Sequence, residues 1–334
     1  MEQFRTMISI SKKVFWMLLS GCLIAPTVLQ AQGGYAGSIL RMGIGSRSEA
    51  MGRAYTAFIG DPESAYYNPA TIPFLEARII DLSFRALPLD RSFAYVGFAT
   101  RLRPKSKYAP THTEDYQYGG LSLSWIHASV NKIDGRDLDG VKFGEYSNQQ
   151  NAVRFSFSLR LRKEFAVGIG ANVIWNQFPK LGKGGETVSS NSVSLDIGAL
   201  LMPADGVWIG ATLRHLNGKF SWDSNKLYER GTQKIDRFPK IWRFGVSTSR
   251  IYENLWLSFD VEGSDVFSLK TYAGAYYQLP ANIGLRAGLR DGQPTFGASY
   301  GFAFLNKQAE LHYAFVNRAN ELDAEHIFSW AFRF

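Results

Sequence analysis

Residues 325–334 read EHIFSWAFRF. Taken alternately, Phe328, Trp330, Phe332 and Phe334 share one face, while Ile327, Ser329, Ala331 and Arg333 share the other, because side chains in a strand alternate with a period of two. In water, such a strand at the edge of a sheet would template aggregation through its four rings. The pattern asks for an apolar solvent on one side. The remainder of the chain has to say whether that solvent is a protein core or lipid.

Working outward from this strand, the chain from Ile79 onward is a series of alternating segments of about ten residues. In 153–162, Val153, Phe155, Phe157, Leu159 and Leu161 oppose Arg154, Ser156, Ser158, Arg160 and Arg162. In 283–290, Ile283, Leu285, Ala287 and Leu289 oppose Gly284, Arg286, Gly288 and Arg290. A β-sandwich also alternates, but its strands average about five or six residues. Segments near ten residues match tilted strands that cross a bilayer. Fourteen are counted, beginning near Ile79, Ser92, Gly119, Asn151, Phe165, Asn191 and Gly206, then Lys240, Asn254, Lys270, Asn282, Pro294, Ala309 and Glu325. The connections after the fourth, sixth, eighth, tenth and twelfth are short, whereas those after the third, fifth and seventh are long. This is the parity of an outer-membrane barrel, with short periplasmic turns and longer outer loops. Two places break it: 103–118 is long where a turn is expected, and Asp291-Gly292 is short where a loop is expected. The first, with Arg103, Lys105 and Lys107 in it and Arg101 just before it, is either a solvated loop or a periplasmic docking loop.

Composition agrees. The 334 residues are 46% hydrophobic, 14% aromatic and only 20% charged, with 32 glycines, a balance that favours strands and tight turns. Lys12 and Lys13 precede an apolar run that ends in Leu29-Gln30-Ala31, which predicts a secretory signal peptide over 1–31. An alternative lipoprotein-type cleavage would fall at Cys22, the single cysteine. Removing 1–31 takes away three bases and one acid, so the net charge falls from +8 to +6. The mature chain then holds no disulfide and no thiolate metal site.

The segment 35–77 does not alternate. Small and apolar residues recur at helical spacing over 46–58, punctuated by Asp61-Pro62 and Asn68-Pro69. It is too short for a domain and too apolar for a free tail, so its simplest place is inside the barrel, as a plug. The expected organisation is thus a signal peptide (1–31), a plug or hatch (32–78) and an all-β, antiparallel transmembrane barrel (79–334).

The stretch SRSEAMGRAYTAFIGDPESAYYNPATIP, with the closing strands from 285 to 334, resembles the PorV/PorQ family, which is related to FadL-type barrels. The matching elements are Ala50-Met51-Gly52, Asp61 and Tyr67-Asn68-Pro69-Ala70; Arg53 departs from the small residue that many relatives carry. The resemblance implies a fourteen-strand protein of the bacterial outer membrane, bathed in its lipid. It further implies a non-enzymatic role in type IX protein secretion, with secretion components or exported proteins as partners. FadL relatives instead pass hydrophobic small molecules through a hatch and a lateral opening. Under either reading, Met51, Gly52, Asp61, Asn68, Pro69 and Ala70 are the expected hatch residues.

The remaining motifs are weaker. Gly297-Ala298-Ser299-Tyr300-Gly301 spells G-x-S-x-G, but a nucleophile elbow needs a strand-to-helix turn, and 294–304 keeps alternating. His127, His215, His312 and His326 lie on different strands, without metal-ligand spacing. Asp134, Asp137, Asp139 and Glu145 crowd one outer loop but miss the calcium-loop spacing, since position 135 is Gly. No cofactor is expected. The inward faces carry Arg85, Arg154, Arg160, Asp196, Arg214, Arg243, Asp260, Glu262, Arg286 and Arg290, where charges pair or meet water. No basic cluster with interleaved aromatics lies on one exposed face, so nucleic acid is not an expected partner.

Overall fold

A computed structural model describes residues 35–103, 118–181, 185–223, 225, 231–317 and 324–334. The expected signal peptide and nearly all of the 103–118 connection lie outside the described residues. The strands are β1 (Ile79–Leu87), β2 (Arg91–Leu102), β3 (Gly119–Arg136), β4 (Lys142–Arg162), β5 (Phe165–Phe178), β6 (Val188–Ala204), β7 (Val207–Leu216) and β8 (Lys219–Asp223). They continue with β9 (Gln233–Arg237), β10 (Ile241–Tyr252), β11 (Leu255–Ser264), β12 (Lys270–Leu279), β13 (Ile283–Arg290), β14 (Gln293–Phe304), β15 (Lys307–Val316) and β16 (Glu325–Arg333). All but β8 and β9 form one closed antiparallel barrel of fourteen strands, sealed by β1 against β16. In that seam Leu82 lies opposite Trp330 and Phe84 opposite Phe328.

Closure removes both sheet edges, and the outer surface is the apolar one. Phe328 and Trp330 are each 54% exposed, while Ile327 and Ala331 behind them are 1% and 0% exposed. The same alternation puts Phe84, Leu123, Phe155, Ile169, Phe244 and Phe296 on the outside. No helix among the described residues is long and apolar enough to cross a membrane. The chain is an outer-membrane β-barrel, and lipid is the solvent its terminal rings meet.

Two- and three-residue turns join β4 to β5, β6 to β7, β10 to β11, β12 to β13 and β14 to β15, marking the periplasmic end. The expected starts of β4 and β6 are corrected upstream, to Lys142 and Val188. What reads as an outer loop around 134–145 is the top of a long β3–β4 hairpin, where Ile133 pairs with Tyr146 and Asp134 with Glu145. Cross-strand contacts hold this extension of the ladder: Lys142 of β4 meets Asp134 of β3 at 2.7 Å. The long connection after β7 likewise folds as the β8–β9 hairpin, with Phe220 against Phe238 at 5.0 Å. Asp291-Gly292 is a true two-residue outer turn, both residues with positive φ.

Candidate functional site: the plug and the vestibule beneath it

The plug runs down the lumen. At the outer end, Tyr35 Oη donates to Val266 O at 3.2 Å in the β11–β12 connection. At the periplasmic end, Arg78 and Phe334 exchange backbone hydrogen bonds of 3.2 and 3.0 Å. The expected helix over 46–58 is shorter than its spacing suggests. Helix α1 spans only Ser46–Ala50, because Gly52 (φ 60°) and Arg53 (φ 68°) turn left-handed immediately after it. Helix α2 spans Ser64–Tyr67 and leads into a 3₁₀ segment, Pro69–Phe74.

The expected hatch residues sit where plug meets wall. Met51 is fully buried. Gly52 lies against wall backbone: a Cβ there would stand 2.5 Å from Leu289 O and 2.7 Å from Ala273 O. Its N–H donates to Thr295 Oγ1 at 3.1 Å, and Thr295 in turn donates to Ala50 O at 3.0 Å. Asp61 Oδ1 accepts from Glu63 N at 2.9 Å, a local turn. Asn68 caps the 3₁₀ segment by accepting from Ala70 N at 3.0 Å. Its Nδ2 also donates to Thr56 O and to Ala199 O of β6, at 2.8 and 3.0 Å. Pro69 and Ala70 press on β5 at Gly168, where a Cβ would stand 2.6 Å from the Pro69 carbonyl carbon.

All ten expected lumen charges project inward, and nearly all are paired. Arg85 meets Glu325 at 3.1 Å and Glu49 at 3.6 Å. Arg290 meets Glu49 at 3.1 Å. Asp196 holds Arg154 at 2.5 Å and Arg214 at 3.8 Å. Arg243 lies between Asp260 (3.6 Å) and Glu262 (3.5 Å). Asp260 also accepts the N–H groups of Tyr55 and Thr56, at 3.0 and 2.9 Å, fixing the plug to β11. Arg160 sits lower, donating to Lys163 O and lying 4.5 Å over the Phe74 ring. Arg162, which the alternation also places inward, is exposed at the periplasmic rim, where the β4–β5 register slips.

Sequence reading missed the centre of this network. Arg47 of α1 meets Asp81 at 2.6 Å, Glu63 at 3.1 Å and Asp61 at 3.3 Å. Glu63 also accepts Ser48 N at 2.7 Å, and Glu49 ties Arg53, Arg85 and Arg290 together. The available signal was charge in a segment of small and apolar residues. Such groups are buried only when paired.

Arg286 differs from its neighbours. Its Nη1 donates to Ser299 Oγ at 2.9 Å and its guanidinium lies 4.3 Å over the Tyr276 ring. No carboxylate among the described residues pairs with it, and its buried Nε has no hydrogen-bond partner. It borders a vestibule of about 600 Å³, opening at the periplasmic end between the plug loop and β11–β15. Phe58 of the plug leans into it, 5.2 Å from the Trp256 ring and 6.5 Å from Tyr276. Glu310 and Asp61 also border it but are engaged, by Arg333 at 2.9 Å and Arg47 at 3.3 Å; Glu76 is exposed at the rim. The volume and the aromatic lining with a few polar groups suit a small organic molecule.

The other motifs form no reactive centre. Ser299 lies mid-strand in β14, without the turn an elbow requires. His215 and His312 are buried, whereas His127 and His326 sit on the outer surface beside Asn151 (2.9 Å) and Tyr313 (2.7 Å). Among the described residues no group of three or more His, Cys, Asp or Glu is arranged to hold a metal. In the outer hairpin, Lys142 neutralises Asp134 at 2.7 Å and Glu145 at 3.2 Å.

The barrel shares its fold with FadL-type outer-membrane proteins. The P. putida toluene transporter TodX superposes with a TM-score of 0.60 at 14% identity, over 87% of this chain and 99% of the other. A Pseudomonas aeruginosa FadL homologue superposes with a TM-score of 0.58 at 12% identity, over 86% and 97%. Comparison with protein-family models gives no match, and comparison with curated protein sequences gives none.

Proposed function

We propose that this protein is an outer-membrane channel for small hydrophobic or amphipathic molecules, gated by its plug. The vestibule carries this reading. It is a cavity of about 600 Å³ lined by Phe58, Trp256 and Tyr276, with one uncompensated guanidinium, directly beneath the plug. A structural part would not need an aromatic chamber at its periplasmic exit. Support also comes from the fold shared with a toluene transporter. The continuous packing of Arg47, Glu49 and Glu63 through the lumen makes the described state the closed one, and passage would require the plug to shift. The test is uptake of radiolabelled toluene and laurate by cells expressing the protein, compared with cells expressing Phe58→Arg. Faster uptake that the variant abolishes is the expected result. Uptake equal to that of cells lacking the barrel would overturn the proposal.

The second reading is a PorV/PorQ-type component of protein export. It is favoured by the family resemblance and by hatch residues that serve packing rather than a pore. Crosslinking in intact outer membranes that captures secretion components or exported proteins would move the conclusion to it.

A further inference from the structure

A second, smaller cavity of about 150 Å³ lies in the outer half of the lumen, bordered by the plug, β7, β10, β11 and β12. Its wall holds five cations, Arg41, Arg53, Arg214, Arg243 and Lys270, against one acid, Glu262. Their ion pairs do not balance. Arg53, Arg85 and Arg290 share Glu49. Arg154 and Arg214 share Asp196. Arg243 meets Asp260 and Glu262, and Arg85 also meets Glu325. Among the described residues Arg41 donates only to the carbonyls of Ala36 (2.7 Å) and Tyr35 (2.9 Å). Lys270 lies 4.8 Å over the Phe267 ring, without a carboxylate partner among the described residues. Among the described residues these groups number eight cations against five carboxylates.

The unmet donors lie at the same place. Arg214 is 4% exposed, and its Nε and Nη2 have no hydrogen-bond partner among the described residues. Asp196, the carboxylate it meets among the described residues, is 3.8 Å away and is held more tightly by Arg154 at 2.5 Å. Arg243 is 1% exposed, and its Nε, which forms no hydrogen bond among the described residues, faces Asp260 at 3.6 Å and Glu262 at 3.5 Å. Buried donors without acceptors, beside surplus positive charge, are costly unless an anion supplies both acceptors and charge. Guanidinium forks match carboxylate and phosphate oxygens. The cavity has the room of about five liquid-water volumes, enough for one such group.

We propose that this cavity binds a small oxyanion, a carboxylate or phosphate group, held by Arg214, Arg243, Lys270 and Arg41. The site stands whether or not the barrel conducts hydrophobic molecules. The test uses the folded barrel in an uncharged detergent, titrated calorimetrically with inorganic phosphate and separately with benzoate. Sodium chloride at matched ionic strength serves as the reference. The expected result is saturable one-to-one binding of at least one of the two, weakened tenfold or more in Arg214→Gln and in Lys270→Gln. Preference for phosphate identifies a free inorganic ion; preference for benzoate identifies the head group of an organic acid. Lys270 is only partly buried at the outer end of β12, so its variant keeps the test open where Arg214→Gln fails to fold. No binding beyond that of chloride, or binding unchanged in Lys270→Gln, overturns the proposal.

Discussion

The carboxylate of Asp196 accepts the backbone N–H of His215 at 2.7 Å, where the ladder between β6 and β7 slips. Leu195 pairs with Leu216 and Ile197 with Leu213, so Asp196 alone faces Arg214 and His215. His215 takes a left-handed φ of 62° to make this bulge. One side chain thus closes a gap in the wall and is shared between two buried arginines.

Replacing Asp196 by Ala should therefore cost more than a surface ion pair. Removing one partner strands Arg154 and Arg214 in the lumen, a loss of about 3–5 kcal/mol. Urea titration of the folded barrel in lipid vesicles measures it; a shift below 1 kcal/mol would show that water reaches and solvates this part of the lumen.

Gly52→Val adds a side chain both at a left-handed position and against the wall carbonyl of Leu289. Strain at such a φ costs about 1–3 kcal/mol, and the steric overlap adds to it. The expected result is a folded barrel with its plug displaced. Ser48→Cys, buried completely in the parent, reports this by reacting with a maleimide only when Gly52→Val is also present.

Arg47→Gln leaves Asp81 and Glu63 buried against each other without their shared cation. Repulsion there should loosen the plug rather than the barrel. In planar bilayers the parent is expected to be closed and the variant to show frequent openings. A variant as silent as the parent would mean that other contacts hold the plug by themselves.

Depth should decide what a charge costs on β16. Trp330→Arg, on the lipid face, is expected to destabilise by about 2–4 kcal/mol, and Phe334→Arg, at the boundary, by about 0–1 kcal/mol. Equal effects in chemical unfolding would place the belt differently.

Period-two alternation in the sequence determines the fourteen strands, their inward and outward faces and the barrel itself. A one-residue slip would exchange lipid-facing and lumen-facing side chains everywhere. Hence Arg85, Arg154, Asp196 and Arg286 could be assigned to the lumen from local pattern alone. Glycine and Asn-Pro punctuation likewise marks Gly52 and Asn68 as places where the plug turns. The pairings between these charges come only from tertiary structure. Arg47 and Asp81 are far apart in pattern and belong to different kinds of segment, and nothing periodic links them. The β3–β4 and β8–β9 hairpins above the membrane also escape the pattern, because side-chain contacts rather than lipid hold them. Alternation follows from the solvent each face meets, so it is written residue by residue. Which buried cations keep a carboxylate, and which are left for a ligand, depends on where the plug comes to rest inside the closed wall.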